Sequence, residues 1–148
     1  MKNKEIRFYN ILFPIWMLML IPTAWIAVLP INFIVDSLVI LITMKAIGVK
    51  YKGKMYRKSI LKVWIFGFVA DMIGAGALLG AMYADIFRGD EIYITLPAML
   101  IAALFIFIFN YKISFKEYDK ATRLKMAINL AIFTAPYTFL IPISWIYS

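Results

Sequence analysis

From Phe8 to Ile47 the chain runs for 40 residues with only two charged side chains, Asp36 and Lys45. As one helix, at about 1.5 Å per residue, this run would be about 60 Å long, twice the thickness of the hydrocarbon layer of a bilayer. It must therefore fold back within a membrane. The sequence invites a turn at Leu29-Pro30-Ile31-Asn32, because proline disfavours continued helix and asparagine suits a turn or cap. The pattern predicts helices at 8–28 and 31–47, joined by a tight hairpin. A cleaved signal peptide is the rival reading of a basic head before an apolar run. Against it, no A-x-A site follows at the right distance and the hydrophobicity continues too far.

Three more apolar segments follow, at 60–83, 92–110 and 124–147. The expected fold is all-α: a bundle of five transmembrane helices forming one polytopic domain over residues 1–148. Composition agrees. Hydrophobic residues make up 64% of the chain and mean hydropathy is +0.85, while charged residues make up 16%, against about 25% in an ordinary soluble domain. A multi-pass protein of the cell membrane is the expectation.

Charge placement sets the expected orientation. Of 16 Lys and Arg, three lie in the head, seven in 45–62 and five in 111–125; Arg88 alone falls on the other side. The positive-inside rule then places the amino terminus in the cytoplasm and the carboxyl terminus outside. The net charge of +8 flanks apolar segments, which suits anionic lipid at the basic loops rather than nucleic acid. The Arg88-Gly89-Asp90 tripeptide in the short acidic loop is read as a chance match.

Function is constrained first by what the chain lacks. With no cysteine and no histidine, thiolate sites, Cys nucleophiles and imidazole metal ligands are excluded, and no metal or cofactor is implied. What the chain has is two intramembrane acids in related contexts, NFIVDS around Asp36 and GFVADM around Asp71. Counting from the basic loop, Asp36 is 12 residues before Gly48 and Asp71 is 11 after Ile60. That puts both about 16–18 Å from one face of the hydrocarbon, near its midplane. Asn32, Asp36 and Thr43 share a stripe within about 40° on their helix. A carboxylate at the bilayer centre costs about 2.5–3.5 kcal/mol on insertion scales, so the stripe should face protein or water. Two carboxyls at one depth cannot comfortably both ionise, and a proton or cation is expected between them.

The segment at 60–83 is rich in small residues. Gly76 and Gly80 form GxxxG, and Gly67, Ala70, Gly74, Ala77 and Ala81 extend the spacing. Such faces let helices approach closely in lipid, so a bulky residue at Gly76 or Gly80 is expected to force backbones apart. Phe68, Met72, Leu79 and Met82 crowd the opposite side and are expected to meet lipid or larger partners. Asn129, Thr134, Tyr137 and Thr138, near Pro136, are candidates for the far wall of a polar cavity.

Two functional readings of different class follow. One is a small proton- or cation-linked transport component, with Asp36 and Asp71 as exchangeable groups and Asn32, Thr43 and Asn129 beside them. The other is a non-catalytic accessory or assembly subunit, whose acids and small-residue face only hold helices together. Transport requires a polar cavity reaching the acids; assembly requires a dry pair and an exposed small face. Either favours a homo- or hetero-oligomer. A paired-aspartate intramembrane protease is a third reading, but its Tyr-Asp and Gly-x-Gly-Asp signals are replaced by Ile-Val-Asp and Val-Ala-Asp.

Overall fold

The structure, a computed structural model, describes residues 15–86, 91–141 and 145. The basic head, the Arg88-Gly89-Asp90 turn, Pro14 and residues 142–144 lie outside the described residues. Among the described residues the chain is helical, with no strand. Three-residue-per-turn segments at Ile15–Leu20 and Pro22–Ala24 lead into α1 (Trp25–Ile47), followed by α2 (Lys52–Tyr83) and α3 (Ile92–Phe109). A π-helical turn, Asn110–Ser114, continues α3; α4 (Lys120–Phe133) and a short turn at Tyr137–Leu140 complete the fold. Three stretches are long and apolar enough to cross a membrane: Pro22–Ile47, Lys52–Tyr83 and Ile92–Ser114.

The element boundaries differ from the sequence expectation in three places, each with a physical reason. No turn forms at Pro30, which lies inside α1. It is the sixth residue of that helix, and its missing amide frees one carbonyl near the helix start. Pro97 sits at the same position in α3. A membrane helix tolerates this where neighbours re-satisfy the backbone. Next to Pro30, the Trp64 indole donates to the Leu29 carbonyl at 2.8 Å. The fold-back comes earlier, at Ile21–Pro22, so 15–24 is not part of an α-helical first span. At 26 residues, Pro22–Ile47 is about 39 Å long, enough to span the hydrocarbon alone with some tilt.

The basic segment is mostly helix rather than loop. Gly48 caps α1 in the left-handed conformation (φ 72°), and α2 begins at Lys52 rather than near residue 60. Lys and Arg are good helix formers whose stems can lie along apolar surface while their charges reach water.

The last predicted helix, 124–147, is also cut short. It starts at Lys120, where the Asp119 side chain accepts from the Thr122 amide at 3.0 Å, holding that carboxyl below its usual range. It stops at Phe133, because the residue before a proline is pushed out of the α region and Pro136 offers no amide. With 14 residues, α4 is about 21 Å long and does not span a bilayer unaided.

Two apolar clusters hold the bundle. Toward the basic end, Ile40 and Met44 of α1 meet Met55 and Val63 of α2, Ile106 of α3, Phe115, and Met126 and Leu130 of α4. Toward the other end, Trp16 and Met19 pack with Ala75, Leu78, Ala98, Met99, Ala135 and Phe139. Phe68, Met72, Leu79 and Met82, partly buried, pack against this second cluster. The close helix contact is at Gly74, where an added Cβ would lie 3.0 Å from Ala102 Cβ, 3.0 Å from a Phe139 ring carbon and 3.3 Å from the Ala98 carbonyl. Gly76 and Gly80 are exposed, with nothing within 4 Å of an added Cβ. The GxxxG pair therefore makes no close contact within the chain, because the helical rotation that aims Gly74 at α3 turns residues 76 and 80 outward.

Candidate functional site

α1 and α2 are joined through residues 48–51 and lie side by side, which brings their two acids to one place. Asp36 and Asp71 are both buried. They line a single small cavity of ≈ 30 Å³ together with Asn32, Val35, Gly67 and Thr134. Gly67 makes this approach possible. Asp36 Oδ2 lies 3.5 Å from where a Gly67 Cβ would stand, one helical turn before Asp71. A methyl group would just fit there, but a longer side chain would occupy the chamber. The volume is enough for a water molecule, which needs roughly 10–15 Å³ measured in this way.

A larger cavity of ≈ 410 Å³ adjoins the chamber, sharing Asn32, Val35, Asp71 and Thr134 with it. Its remaining wall comes from Met19, from Val28 and Ile31 of α1, and from the broken end of α4 through Phe133, Ala135, Pro136, Tyr137 and Thr138. The break at Pro136 builds this wall. The Thr134 hydroxyl donates to the Leu130 carbonyl at 2.7 Å, as a helical threonine often does, and still borders both spaces. Phe139, buried against Gly74, fixes the far end of the segment.

The polar bonding of the pair is incomplete. Among the described residues, Asp71 Oδ1 is buried with no hydrogen-bond partner, and no lysine or arginine lines either cavity. Buried polar groups are nearly always paired, so an unpaired carboxyl oxygen beside a space that holds water marks a place where something else can bind. Among the described residues no three acids cluster as a metal site.

The other residues singled out by sequence are placed as follows. Asn32 lines both cavities. Thr43 is buried on α1 and Asn129 half-buried on α4, and neither lines a cavity. Thr134, Tyr137 and Thr138 form the far wall without Asn129. Sequence reasoning missed Met19, Val28 and Ile31, since apolar side chains lining a cavity carry the same signal as those facing lipid. It also missed a second buried polar group at the basic end. There the Ser59 hydroxyl donates to the Ser114 carbonyl at 3.5 Å and Asn110 Nδ2 to the Ile106 carbonyl at 2.8 Å. The π-helical turn carries Asn110 and Ser114 inward, and an ordinary helical reading of the sequence does not foresee such a turn.

No known family model matches this chain, and no curated protein or solved structure matches it either.

Proposed function

We propose that this is a multi-pass protein of the cell membrane acting as a proton- or cation-linked transport component, with Asp36 and Asp71 as its exchangeable sites. One observation carries the reading: both carboxyls border a chamber that shares Asn32, Val35, Asp71 and Thr134 with a larger cavity, a pairing that a transport path needs and packing alone does not. Two acids in so small a space hold a proton or a cation between them, and transport consists of changing that occupancy. Asp36→Asn and Asp71→Asn keep the shape and much of the hydrogen bonding but not the exchangeable charge. Both variants are expected to assemble normally and to lose at least about tenfold in proton- or cation-driven flux in reconstituted vesicles, the scale of one exchangeable charge. Wild-type protein without flux, together with Asn variants that behave like wild type in cells, would overturn the proposal.

A second reading, an accessory or assembly subunit of a larger membrane complex, draws support from the outward-facing Gly76 and Gly80, whose faces are unfilled. Under either reading a homo- or hetero-oligomer would cover that surface.

The proposed orientation puts the 48–51 and 115–119 connections on the cytoplasmic face. Lys50, Lys54 and Lys58 line a cavity of ≈ 300 Å³ there with Glu117, suited to anionic headgroups. Five crossings with the amino terminus inside remain part of the proposal, beyond the three apolar helices. A reporter inserted near Lys54 is expected to be cytoplasmic and one fused after Ser148 extracytoplasmic. A cytoplasmic signal at Ser148 would remove the five-crossing arrangement.

A further inference from the structure

Resting on the transport reading, we infer that the larger cavity takes a lipophilic organic monocation, which reaches it from the bilayer and displaces a proton from the aspartate pair.

The wall chemistry points to this class. The floor of the cavity is Asp71, beside Asn32 and Thr134, while Met19, Val28, Ile31, Phe133 and Pro136 make its sides apolar. Among the described residues no basic side chain lines either cavity, so the charge they present to a ligand is negative. An anion would meet repulsion. A neutral apolar molecule would fill the sides and leave the buried Asp71 Oδ1 without a partner. A cation with an apolar body satisfies both, with its charge at the carboxyls and its hydrocarbon against the walls. Tyr137 and Phe133 add aromatic faces that attract cations. The size suits the same class, since ≈ 410 Å³ lies in the range of about 300–1,000 Å³ that holds drug-sized ligands.

The position of the mouth gives the route. Ile31, Phe133 and Tyr137 border the cavity and are also exposed, at 58%, 64% and 49%. In a bilayer these surfaces meet acyl chains, so the cavity opens sideways into the hydrocarbon. A strongly hydrated ion does not approach from there, whereas a cation that partitions into lipid does. When the pair carries a proton the charge of the site is partly neutralised. Arrival of the cation releases that proton, and its departure allows rebinding, which couples the two movements without any covalent step.

The test uses two molecules of one shape, methyltriphenylphosphonium and its neutral counterpart 1,1,1-triphenylethane. Each is titrated into the purified full-length protein in weakly buffered detergent, following heat and released protons. Saturable binding of the phosphonium with proton release is expected for wild type. Affinity should fall at least about tenfold in Asp71→Asn and survive in Asp71→Glu, which keeps the charge should the Asn variant fold poorly. The neutral hydrocarbon should not bind. Equal binding of hydrocarbon and phosphonium would identify an apolar groove that holds acyl chain, and would overturn the inference. So would phosphonium binding unchanged in the Asp36→Asn, Asp71→Asn double variant. Proton flux in vesicles without phosphonium binding would refute this substrate class and leave the transport reading standing; absence of both would refute the two together.

Discussion

Replacing Gly74 with leucine is expected to unfold or strongly destabilise the protein, while the same change at Gly76 or Gly80 leaves its monomer stability intact. At Gly74 even a methyl group would stand 3.0 Å from Ala102 Cβ and from the Phe139 ring, and 3.3 Å from a backbone oxygen, well inside the 3.5–4.0 Å or so at which carbon atoms attract. Alanine should therefore cost about 1–3 kcal/mol, the usual range for overpacking. Leucine cannot be accommodated without parting α2 from α3 or expelling Phe139, which is buried at 2% exposure. Losing Phe139 would also release the segment that walls the large cavity. Thermal melts and size-exclusion profiles of the detergent-solubilised variants read the difference. A Gly74→Leu protein as stable as wild type would show that α2 and α3 do not meet here. At Gly76 and Gly80 an altered oligomeric state with an unchanged melt would place a second chain on that face.

The second large effect is a separation of stability from activity at Asp71. Its Oδ1 is buried and unpartnered, and such a group carries a desolvation cost of about 1–3 kcal/mol with no bond to offset it. Leucine has the same branching and the same number of heavy atoms, with its extra bulk toward the chamber, and removes that cost. Asp71→Leu is therefore expected to melt higher than wild type by up to that amount and to show no proton- or cation-linked flux. Replacing buried ionisable groups with apolar ones is often neutral or stabilising in this way, and loss of function is the usual accompaniment where the strained group is the working one. An Asp71→Leu protein that melts well below wild type would make the carboxyl a structural bond, and would favour the assembly reading.

How much of this was legible in the sequence differs by element. The long apolar runs at 60–83 and 92–110 could be read directly as helices able to cross a membrane, whereas Pro30 suggests a break in the first run that the structure does not make. The two aspartates could be singled out because a charge inside such a run is costly, and the structure does bring them to one cavity with Asn32. The helix boundaries were less legible. Pro30, Pro97 and Pro136 look alike as letters, yet the first two fall six residues into a helix and are absorbed, whereas Pro136 ends one. The small-residue face was only partly legible for a similar reason. Composition marks a helix that can pack closely, but which glycine meets the neighbour depends on a rotation of 100° per residue and on where that neighbour lies. Gly74 and Gly76, two positions apart, end on different sides. The cavity wall was half visible: Thr134, Tyr137 and Thr138 announce themselves as polar, and Met19, Val28 and Ile31 do not.

The break at Pro136 also has a bearing on how this chain can change over generations. Proline there has no amide to give the Ile132 carbonyl, one helical turn back, and the Tyr137 hydroxyl donates to that carbonyl instead. The two neighbouring positions thus share one task. A lineage that replaced Pro136 with a residue bearing an amide would relieve Tyr137 of its duty, and phenylalanine could then drift into position 137 at little cost. Loss of the hydroxyl first would strand a carbonyl in an apolar setting. The order of events is therefore constrained, and among sequences descended from a common ancestor phenylalanine should stand at 137 only where proline has already gone from 136.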